Sequence, residues 1–492
     1  MFIGIDLGTS SIKTILIDEN QKVIGSVNRQ LELLNPKTGY YEQNPDSWYF
    51  ATLESFKELK NKFFKEFTAT SAIGISGQMH GATLIDKNKN VLRPCILWND
   101  TRSANQCIEM EDNYEFLRKE SGNIAMPGFT APKILWIKQN EPDVFKKIYK
   151  ILLPKDYLRF RLTDTYYSDM SDASGTLWLD VENRKWSEKL LNLTSVDVSQ
   201  MPLLVEGNSP TDYLSKEIKN KFGFQNNIIV AGGAGDQAAG AVGSGVINSQ
   251  QSMISLGTSG VYFSPTSKYS SNTNQAVHSF CHCLPNTWHH MSVMLSATNC
   301  LNWISKMHNL QVGEAINIAK AFFNKNFTKK SIPFFLPYLS GERTPHNDPN
   351  IRGSFHMIDT STDLESMIYA VIEGITFGIK DGFDAVHSVS SKNKEIYLVG
   401  GGSKSEFWSE LISSTLGEEI IVGQDSDIGS ALGVARLAML ATNKYKNEDV
   451  ILNMKTLRKC YPSNKISDCL QDRYKKWKIL ADASKSISRR MI

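Results

Sequence analysis

Apolar residues at the start of the chain form two short runs that predict a β-hairpin. Residues 2–5 are apolar, and residues 12–17 form a second apolar run after a turn of glycine, threonine and serine. Two such runs separated by a glycine-containing turn are typical of paired strands. A similar pattern returns at 253–263 with the same Leu-Gly-Thr-Ser turn, and Asp6 and Ser255 hold matching positions in the two copies. The sequence therefore predicts an internal duplication, with one copy in each domain.

Short apolar runs alternate with longer helical patterns in the rest of the chain, which predicts an α/β fold in both halves. The predicted strands are 23–27, 73–75, 228–230 and 396–399, and the predicted helices are 48–64, 364–387 and 428–440. The predicted domains are residues 1–246, residues 247–445 and a charged helical extension at 446–492. A chain of 492 residues supports this division, because single hydrophobic cores stop growing at roughly 250–300 residues.

Composition and charge indicate a folded protein and argue against two classes of partner. Hydrophobic residues make up 41% of the chain and charged residues 21%, close to globular averages. Lysine and arginine total 54 against 51 for aspartate and glutamate, without a long basic run, so we expect no nucleic-acid partner. No run of about 18 apolar residues occurs, so we expect no membrane-spanning helix. The first residues lack the basic segment of a signal peptide, and we expect a cytoplasmic protein.

The seven cysteines are scattered and odd in number, which favours reduced thiols over a disulfide framework. Cys281 and Cys283, with His278 and His282 beside them, could form a zinc site. No second ligand pair follows at finger-like spacing, so a strand with alternating faces is the favoured interpretation.

Glycine-containing turns in both halves are candidates for contacts with phosphate groups. Gly8 and Thr9 in the first hairpin, and Gly257 and Thr258 in the second, could bring backbone N–H groups close to a polyphosphate, because glycine permits a close approach. The alternative is that they are ordinary hairpin turns. No G-x-x-x-x-G-K-[ST] sequence occurs, so the pattern favours ATP held between two hairpins over ATP held by a P-loop.

Another glycine-rich turn follows the predicted strand 396–399 and precedes a helix. Such a strand-to-helix turn commonly holds a phosphate or a nucleotide. We therefore expect Gly401, Gly402 and the nearby Ser405 to contact the adenosine side of ATP.

Two aspartates are candidates for the chemistry itself. Asp6 lies at the end of the first strand, where its carboxylate could hold a hydrated magnesium ion beside phosphates or could cap the following turn. Asp236 stands between a predicted strand and a helix of small residues, where an aspartate serves either as a catalytic base or as a helix N-cap. The residue pattern alone leaves both alternatives open.

Several ordered blocks of sequence resemble the FGGY carbohydrate kinases. The blocks are residues 4–10, 77–81, 98–102 and 233–243. Further blocks resemble the members of this family that act on D-xylulose, namely residues 127–136, 153–159, 168–180 and 335–349. The resemblance extends from residue 1 to about residue 440.

This resemblance implies two ribonuclease-H-like (actin-like) domains, each a mixed five-stranded sheet flanked by helices, with sugar and ATP meeting in the cleft between them. It implies that Asp236 accepts the proton of the attacking sugar hydroxyl and that Asp6 acts near magnesium and phosphate. The residues it assigns to the sugar pocket are Gln78, Met79, His80, Trp98, Asp236 and Gln237.

The reaction expected from the resemblance is transfer of the γ-phosphoryl group of MgATP to the terminal hydroxyl of D-xylulose. Phosphoryl transfer depends mainly on alignment and charge neutralisation, so a base with an ordinary pKa would suffice. A homodimer is expected from the family alone. Gln237 departs from the asparagine of several relatives, and the turn at 424–427 is richer in acid than its counterparts.

Two other functions remain open at this point. A sibling kinase acting on ribulose, gluconate or glycerol would share the fold, because pocket side chains decide the substrate. An actin-like or heat-shock-chaperone ATPase would also share it, but these proteins lack the blocks at 77–81 and 235–240.

Overall fold

Two mixed β-sheets, one in each half of the chain, form the framework of the protein. The structure is a computed structural model that describes residues 1–113, 115–327, 331–424 and 429–488. Helices flank both sheets. This arrangement confirms the predicted two-domain α/β class. The acid-rich turn at 425–427 and the first residue of the predicted helix 428–440 lie outside the described residues.

The first half contains fifteen strands and eleven helices within the described residues. The strands are β1 (Phe2–Leu7), β2 (Ser11–Ile17), β3 (Val23–Gln30), β4 (Glu42–Gln43), β5 (Ala72–Gly77), β6 (Thr83–Ile85), β7 (Cys95–Ile96), β8 (Lys150–Leu152), β9 (Tyr167–Asp169), β10 (Leu179–Asp180), β11 (Lys185–Trp186), β12 (Leu203–Val205), β13 (Pro210–Tyr213), β14 (Ile229–Ala231) and β15 (Ala234–Gly235). The helices are α1 (Pro45–Lys62), α2 (Phe64–Thr68), α3 (Ala104–Asn113), α4 (Phe116–Ser121), α5 (Thr130–Asn140), α6 (Pro142–Phe145), α7 (Pro154–Thr163), α8 (Met170–Ser174), α9 (Glu188–Leu193), α10 (Lys216–Phe222) and α11 (Asp236–Ser244).

The first sheet has seven strands in the order β13-β14-β5-β1-β2-β3, with β15 also pairing with β5. Strand β1 is antiparallel to β2 and parallel to β5, and its apolar residues Ile3 and Ile5 are fully buried. The expected number of five strands is wrong for this sheet. The two additional strands are short, of four and two residues, and carry proline or glycine, so local patterning does not reveal them.

The second half contains nine strands and seven helices within the described residues. The strands are β16 (Gln251–Leu256), β17 (Gly260–Thr266), β18 (His278–Cys281), β19 (Trp288–Met294), β20 (Phe334–Leu336), β21 (Ser354–His356), β22 (Glu395–Val399), β23 (Ile420–Gly423) and β24 (Thr456–Cys460). The helices are α12 (Thr298–Met307), α13 (Val312–Asn326), α14 (Leu364–His387), α15 (Glu406–Leu416), α16 (Gly429–Ala441), α17 (Asn447–Val450) and α18 (Asn464–Ser488).

The second sheet also has seven strands, in the order β18-β19-β17-β16-β22-β23-β24. Strand β16 is antiparallel to β17 and parallel to β22, which repeats the relation of β1 to β2 and β5. The repeated sequence pattern therefore corresponds to a repeated strand arrangement. The stretch around Cys281 and Cys283 contains strand β18, and the described part of the chain has no cluster of three or more histidine, cysteine, aspartate or glutamate side chains placed to hold a metal ion.

Residues 446–488, which belong to the predicted helical extension, pack against the second half. Strand β24 pairs with β23 at the edge of the second sheet. Helix α18 buries Leu470, Tyr474 and Trp477 against the same core, and the indole N–H of Trp477 donates to Phe335 O at 2.8 Å. These residues therefore complete the second core.

Helices α11 and α16 pack closely where the two halves meet. A Cβ on Gly433 would lie 1.8 Å from Ala239 O, and a Cβ on Gly243 would lie 1.9 Å from Gly429 O. A larger residue at either position would force the helices apart. Helix α16 also lies on the first sheet, since a Cβ on Gly4 would meet Ala431 O at 2.0 Å. This packing holds the first turn of α11, which carries Asp236, at the junction of the halves.

No helix among the described residues is both long enough and apolar enough to span a membrane.

Candidate active site

Asp236 is the first residue of α11, directly after the short strand β15, which follows a tight turn at the end of β14. Gly233 has φ +74°, and a Cβ there would lie 2.1 Å from Ile75 O, so the turn requires glycine. The N-cap residue of α11 is Gly235, so Asp236 is not the helix N-cap. One carboxylate oxygen of Asp236 accepts a hydrogen bond from the Gln237 N–H at 2.7 Å.

Asp6 and Asp236 line one cavity of 160 Å³ between the two halves. Asp6 accepts a hydrogen bond from the Ser76 hydroxyl at 2.8 Å, and burial raises its pKa. Burial, together with the charge of Asp6, raises the pKa of Asp236 to about 7. An ordinary pKa would suffice for the base, but the pKa of Asp236 is raised because two carboxyl groups share a site with little water.

The cavity takes residues from both halves of the chain. The first half supplies Lys13 and Gln237 besides the aspartates, and the second half supplies Ser255, Gly400 and Ser430. The Lys13 ammonium lowers the pKa of Asp6 in opposition to burial. Carboxylate oxygens are preferred ligands of Mg²⁺, and a divalent cation would relieve the repulsion between the two carboxylates. The donor set therefore fits a magnesium ion.

A hydrogen-bonded chain of side chains forms the wall of the cleft next to the first hairpin. The Thr9 hydroxyl donates to Gln78 Oε1 at 3.0 Å and accepts from the Trp98 indole N–H at 2.9 Å. The Gln78 amide donates to Gln43 Oε1 at 2.9 Å. Thr9 lies in a turn whose backbone was predicted to contact phosphate. Its side chain joins the predicted sugar residues Gln78 and Trp98. Gln43 was missed because a single polar residue in a two-residue strand carries no sequence signal.

His80 is held in a constrained conformation beside the sugar residues. Its backbone has φ +69°, which is costly for a side-chain-bearing residue. Its ring Nδ1 lies 2.6 Å from Gly175 O, and the ring centroid lies 4.7 Å from that of Phe129. Burial lowers the pKa of His80 to about 3, so the ring is neutral. Because Nδ1 donates its hydrogen to Gly175 O, Nε2 is the hydrogen-bond acceptor.

Lys133 supports His80 and was missed by the sequence reasoning. Its ammonium donates to His80 O at 2.9 Å and to Gly128 O at 2.8 Å, and the Thr130 hydroxyl also donates to His80 O at 3.1 Å. Burial lowers the pKa of Lys133 to about 7. The block at 127–136 pointed to this segment, but nothing in the sequence indicates which carbonyls a lysine in a helix reaches.

A buried polar chain also supports the turn that carries Asp236. The Gly235 N–H donates to the Ser171 hydroxyl at 3.1 Å, and this hydroxyl donates to Asp169 at 2.5 Å. The Lys155 ammonium lies 2.8 Å from the other oxygen of Asp169. Met79 packs on the same turn, since a Cβ on Gly235 would lie 3.0 Å from Met79 Cγ. These contacts fix the direction in which α11 begins.

The two glycine-containing hairpin turns use some of their own amides. The N–H of Gly8 donates to Ser11 O, and the N–H of Gly257 donates to Ser259 O, both at 3.0 Å. The carbonyl of Thr258 accepts from Ala297 N at 2.9 Å, just before α12 begins. Phosphate contacts at these turns would therefore come from N–H groups other than those of Gly8 and Gly257.

The glycine-rich turn after β22 has one open and one packed glycine. A Cβ on Gly401 would have no neighbour within 4 Å, whereas a Cβ on Gly402 would lie 2.4 Å from Leu256 Cδ2. The hydroxyl of Ser405 accepts from Trp408 N at 3.2 Å as the N-cap of α15. Gly401 thus leaves space for a flat group, while Gly402 and Ser405 shape the turn.

Comparisons with known proteins agree over most of the chain. The N-terminal domain of the FGGY family of carbohydrate kinases matches residues 1–243, and its C-terminal domain matches residues 252–442. Xylulose kinase of Escherichia coli (strain K12) is 45% identical over 448 residues, which cover 91% of each chain. Xylulose kinase of Klebsiella pneumoniae is 43% identical over 443 residues, which cover 90% of each chain. A crystal structure described as a xyloylose kinase from Brucella ovis is 41% identical, with a TM-score of 0.94 and 99% coverage of each chain.

Proposed function

Since the chain belongs to the FGGY family of carbohydrate kinases, as its sequence blocks predicted, we propose that it phosphorylates the terminal hydroxyl of D-xylulose with MgATP. The relatives named xylulose kinase, up to 45% identical over 91% of this chain, support this choice of substrate. The single observation that carries the mechanism is the pair of carboxyl groups, Asp6 and Asp236, in one cavity between the two halves.

Asp236 is the general base in this proposal. Its carboxylate accepts the proton of the sugar hydroxyl while the oxygen attacks the γ-phosphorus, and ADP leaves from the opposite side. A pKa of about 7 gives the carboxylate a useful proton affinity and leaves a large ionised fraction at neutral pH. The buried chain through Ser171 and Asp169 keeps the carboxylate pointing into the cavity.

Asp6 would hold the magnesium ion, which would neutralise charge on the phosphate oxygens when bound. The other proposed nucleotide contacts are the turns at Gly8 and Thr9, at Gly257 and Thr258, and at Gly401, Gly402 and Ser405. The open space above Gly401 supports its place beside the nucleotide.

The proposed sugar pocket consists of Gln78, Met79, His80, Trp98 and Gln237 with the base. Hydrogen bonds join Thr9 to both Gln78 and Trp98, which supports a polar wall of fixed geometry. Neutral His80 offers Nε2 as an acceptor for a sugar hydroxyl. The cytoplasmic location and the homodimer stay predictions.

The proposal is tested by the rate of ADP release in a coupled assay with D-xylulose, D-ribulose, gluconate and glycerol at low concentration. D-xylulose should give the largest kcat/KM. A larger value for another sugar would transfer the proposal to a sibling kinase. Stimulation by an unfolded peptide and not by any sugar would favour a chaperone-like ATPase and contradict the proposal.

A further inference from the structure

An arginine from the second half reaches the proposed sugar-binding wall of the first half. Arg343 lies in the connection between β20 and β21. A Cβ built on Gly128 would be 3.6 Å from Arg343 Nη2 and 2.6 Å from Trp98 O. The guanidinium therefore lies beside Gly128 and near Trp98, across the junction from its own sheet.

Among the residues that the structure describes, the Arg343 guanidinium makes no ion pair with a carboxylate, although the charge of the adjacent Glu342 acts on it. One carboxyl oxygen of its neighbour Glu342 accepts instead from Leu295 N at 2.9 Å and from Arg343 N at 2.8 Å. Burial raises the pKa of Glu342 to about 8 against the opposing charge of Arg343, so this carboxyl group offsets the guanidinium only in part at neutral pH. A desolvated cation that makes no ion pair is costly unless a ligand accepts its hydrogen bonds.

The chemistry of the neighbouring side chains restricts what this ligand is. The rings of His80 and His278 both pack on Phe129, with centroids 4.7 and 5.5 Å from its own. Phe129 follows Gly128, the residue next to the Arg343 guanidinium, and the charge of Arg343 helps to lower the pKa of both histidines. His80 donates from Nδ1 to Gly175 O and has Nε2 as an acceptor. The site thus combines a planar donor with an imidazole acceptor. A carbonyl next to a hydroxyl matches this pair, because the carbonyl only accepts and the hydroxyl can donate.

We propose that Arg343 is a specificity-determining residue that donates to the carbonyl oxygen of the ketose, while His80 Nε2 accepts from the neighbouring hydroxyl. This proposal deepens the proposed function and rests on it. The carbonyl end of the sugar lies away from Asp236, whose partner is the hydroxyl at the other end. A polyol has a hydroxyl in place of the carbonyl, so it gains less from an arginine with donors alone.

The test compares Arg343→Gln with the wild-type protein on D-xylulose and on its reduced form, xylitol. The variant should raise KM for D-xylulose by about 10-fold or more, the usual effect of losing a hydrogen bond from a charged group. We expect kcat for D-xylulose within about threefold of wild type, because the base is untouched. The ratio of kcat/KM for D-xylulose to that for xylitol should fall by a similar factor.

Arg352→Gln is the matched control. Arg352 lies in the same connection, and its guanidinium donates to Pro349 O at 2.7 Å and Ile351 O at 2.9 Å instead of facing the sugar wall. This variant should keep both KM values. Arg343→Lys retains the positive charge but lacks the planar fork of N–H donors, so it should give a KM between those of wild type and Arg343→Gln. This second variant tests the proposal if Arg343→Gln folds poorly.

The outcomes separate this proposal from the proposed function. A wild-type protein that does not phosphorylate D-xylulose contradicts the proposed function. If the wild-type protein is active, an unchanged KM for D-xylulose in Arg343→Gln overturns the role of Arg343. An equal loss for D-xylulose and xylitol overturns it as well, because the carbonyl would then not be what the guanidinium recognises.

Discussion

Replacing Asp236 by asparagine should remove turnover and at the same time stabilise the fold. The substitution keeps an oxygen to accept from the Gln237 N–H but removes a carboxylate buried beside Asp6. The pKa of Asp236 rises from 3.8 to about 7 on folding. At about 1.36 kcal/mol per pKa unit, the ionised side chain costs about 4 kcal/mol of stability at pH 8.

The sign of the pH dependence follows from this shift. A carboxyl group with a raised folded-state pKa binds more protons in the folded state, so its stability contribution falls as pH rises from about 4 to about 7. The advantage of Asp236→Asn over wild type should therefore be about 1.5 kcal/mol at pH 5 and about 4 kcal/mol at pH 8. Thermal unfolding should shift by about 2–4 °C per kcal/mol for domains of this size.

Thermal unfolding at several pH values, with steady-state kinetics at pH 8, checks the prediction. Turnover should drop by about 10²–10⁴, the contribution of a general base, while nucleotide binding is retained. Asp197→Asn is the control, because Asp197 is an exposed helix N-cap whose pKa is lowered. A variant at Asp236 that is less stable than wild type at pH 8, or whose advantage does not change with pH, would refute the buried-pair reasoning. Near-normal turnover would refute the role of Asp236 as the base.

Three further predictions concern the same cleft. The kcat/KM for MgATP should fall about tenfold per pH unit below pH 7, because the Asp236 carboxylate must be ionised to accept a proton; a flat profile down to pH 5.5 would contradict this. Asp6→Ala should raise the Mg²⁺ concentration needed for half-maximal rate, and an unchanged Mg²⁺ dependence would argue against the magnesium role of Asp6. The same variant should lower the pKa seen in the pH profile, because the charge of Asp6 raises the pKa of Asp236. Lys133→Met should raise KM for the sugar by about tenfold and leave KM for ATP unchanged, because Gly128 O loses the lysine donor and His80 O keeps only the Thr130 hydroxyl. Equal changes in both KM values would indicate a general loss of structure.

Local sequence patterns are sufficient for much of the framework. The helix predicted at 364–387 is α14 (Leu364–His387), and the strand predicted at 396–399 is β22 (Glu395–Val399). The repeated hairpins pair in the same way, and Asp236 stands at the predicted strand-to-helix junction. These features depend on periodicity and turn residues within about ten positions, which a single sequence displays directly.

Other features depend on contacts between distant positions and were decided by tertiary packing. The two short strands that enlarge the first sheet, β13 and β15, are held by pairing with β14 and β5. Residues 446–488 join the second half because β24 pairs with β23 at the edge of the second sheet. The pKa of Asp236 depends on burial and on Asp6, 230 positions earlier in the chain.

The assignment of side chains to the sugar wall was decided in the same way. Thr9 joins Gln78 and Trp98, and Lys133 holds two carbonyls from separate segments. Arg343 reaches Gly128 from the other half. The sequence by itself determined the family, the fold class and the identities of the chemical groups. Their proximity, desolvation and partners came from packing, because the strength of a charge or a hydrogen bond depends on its surroundings in space.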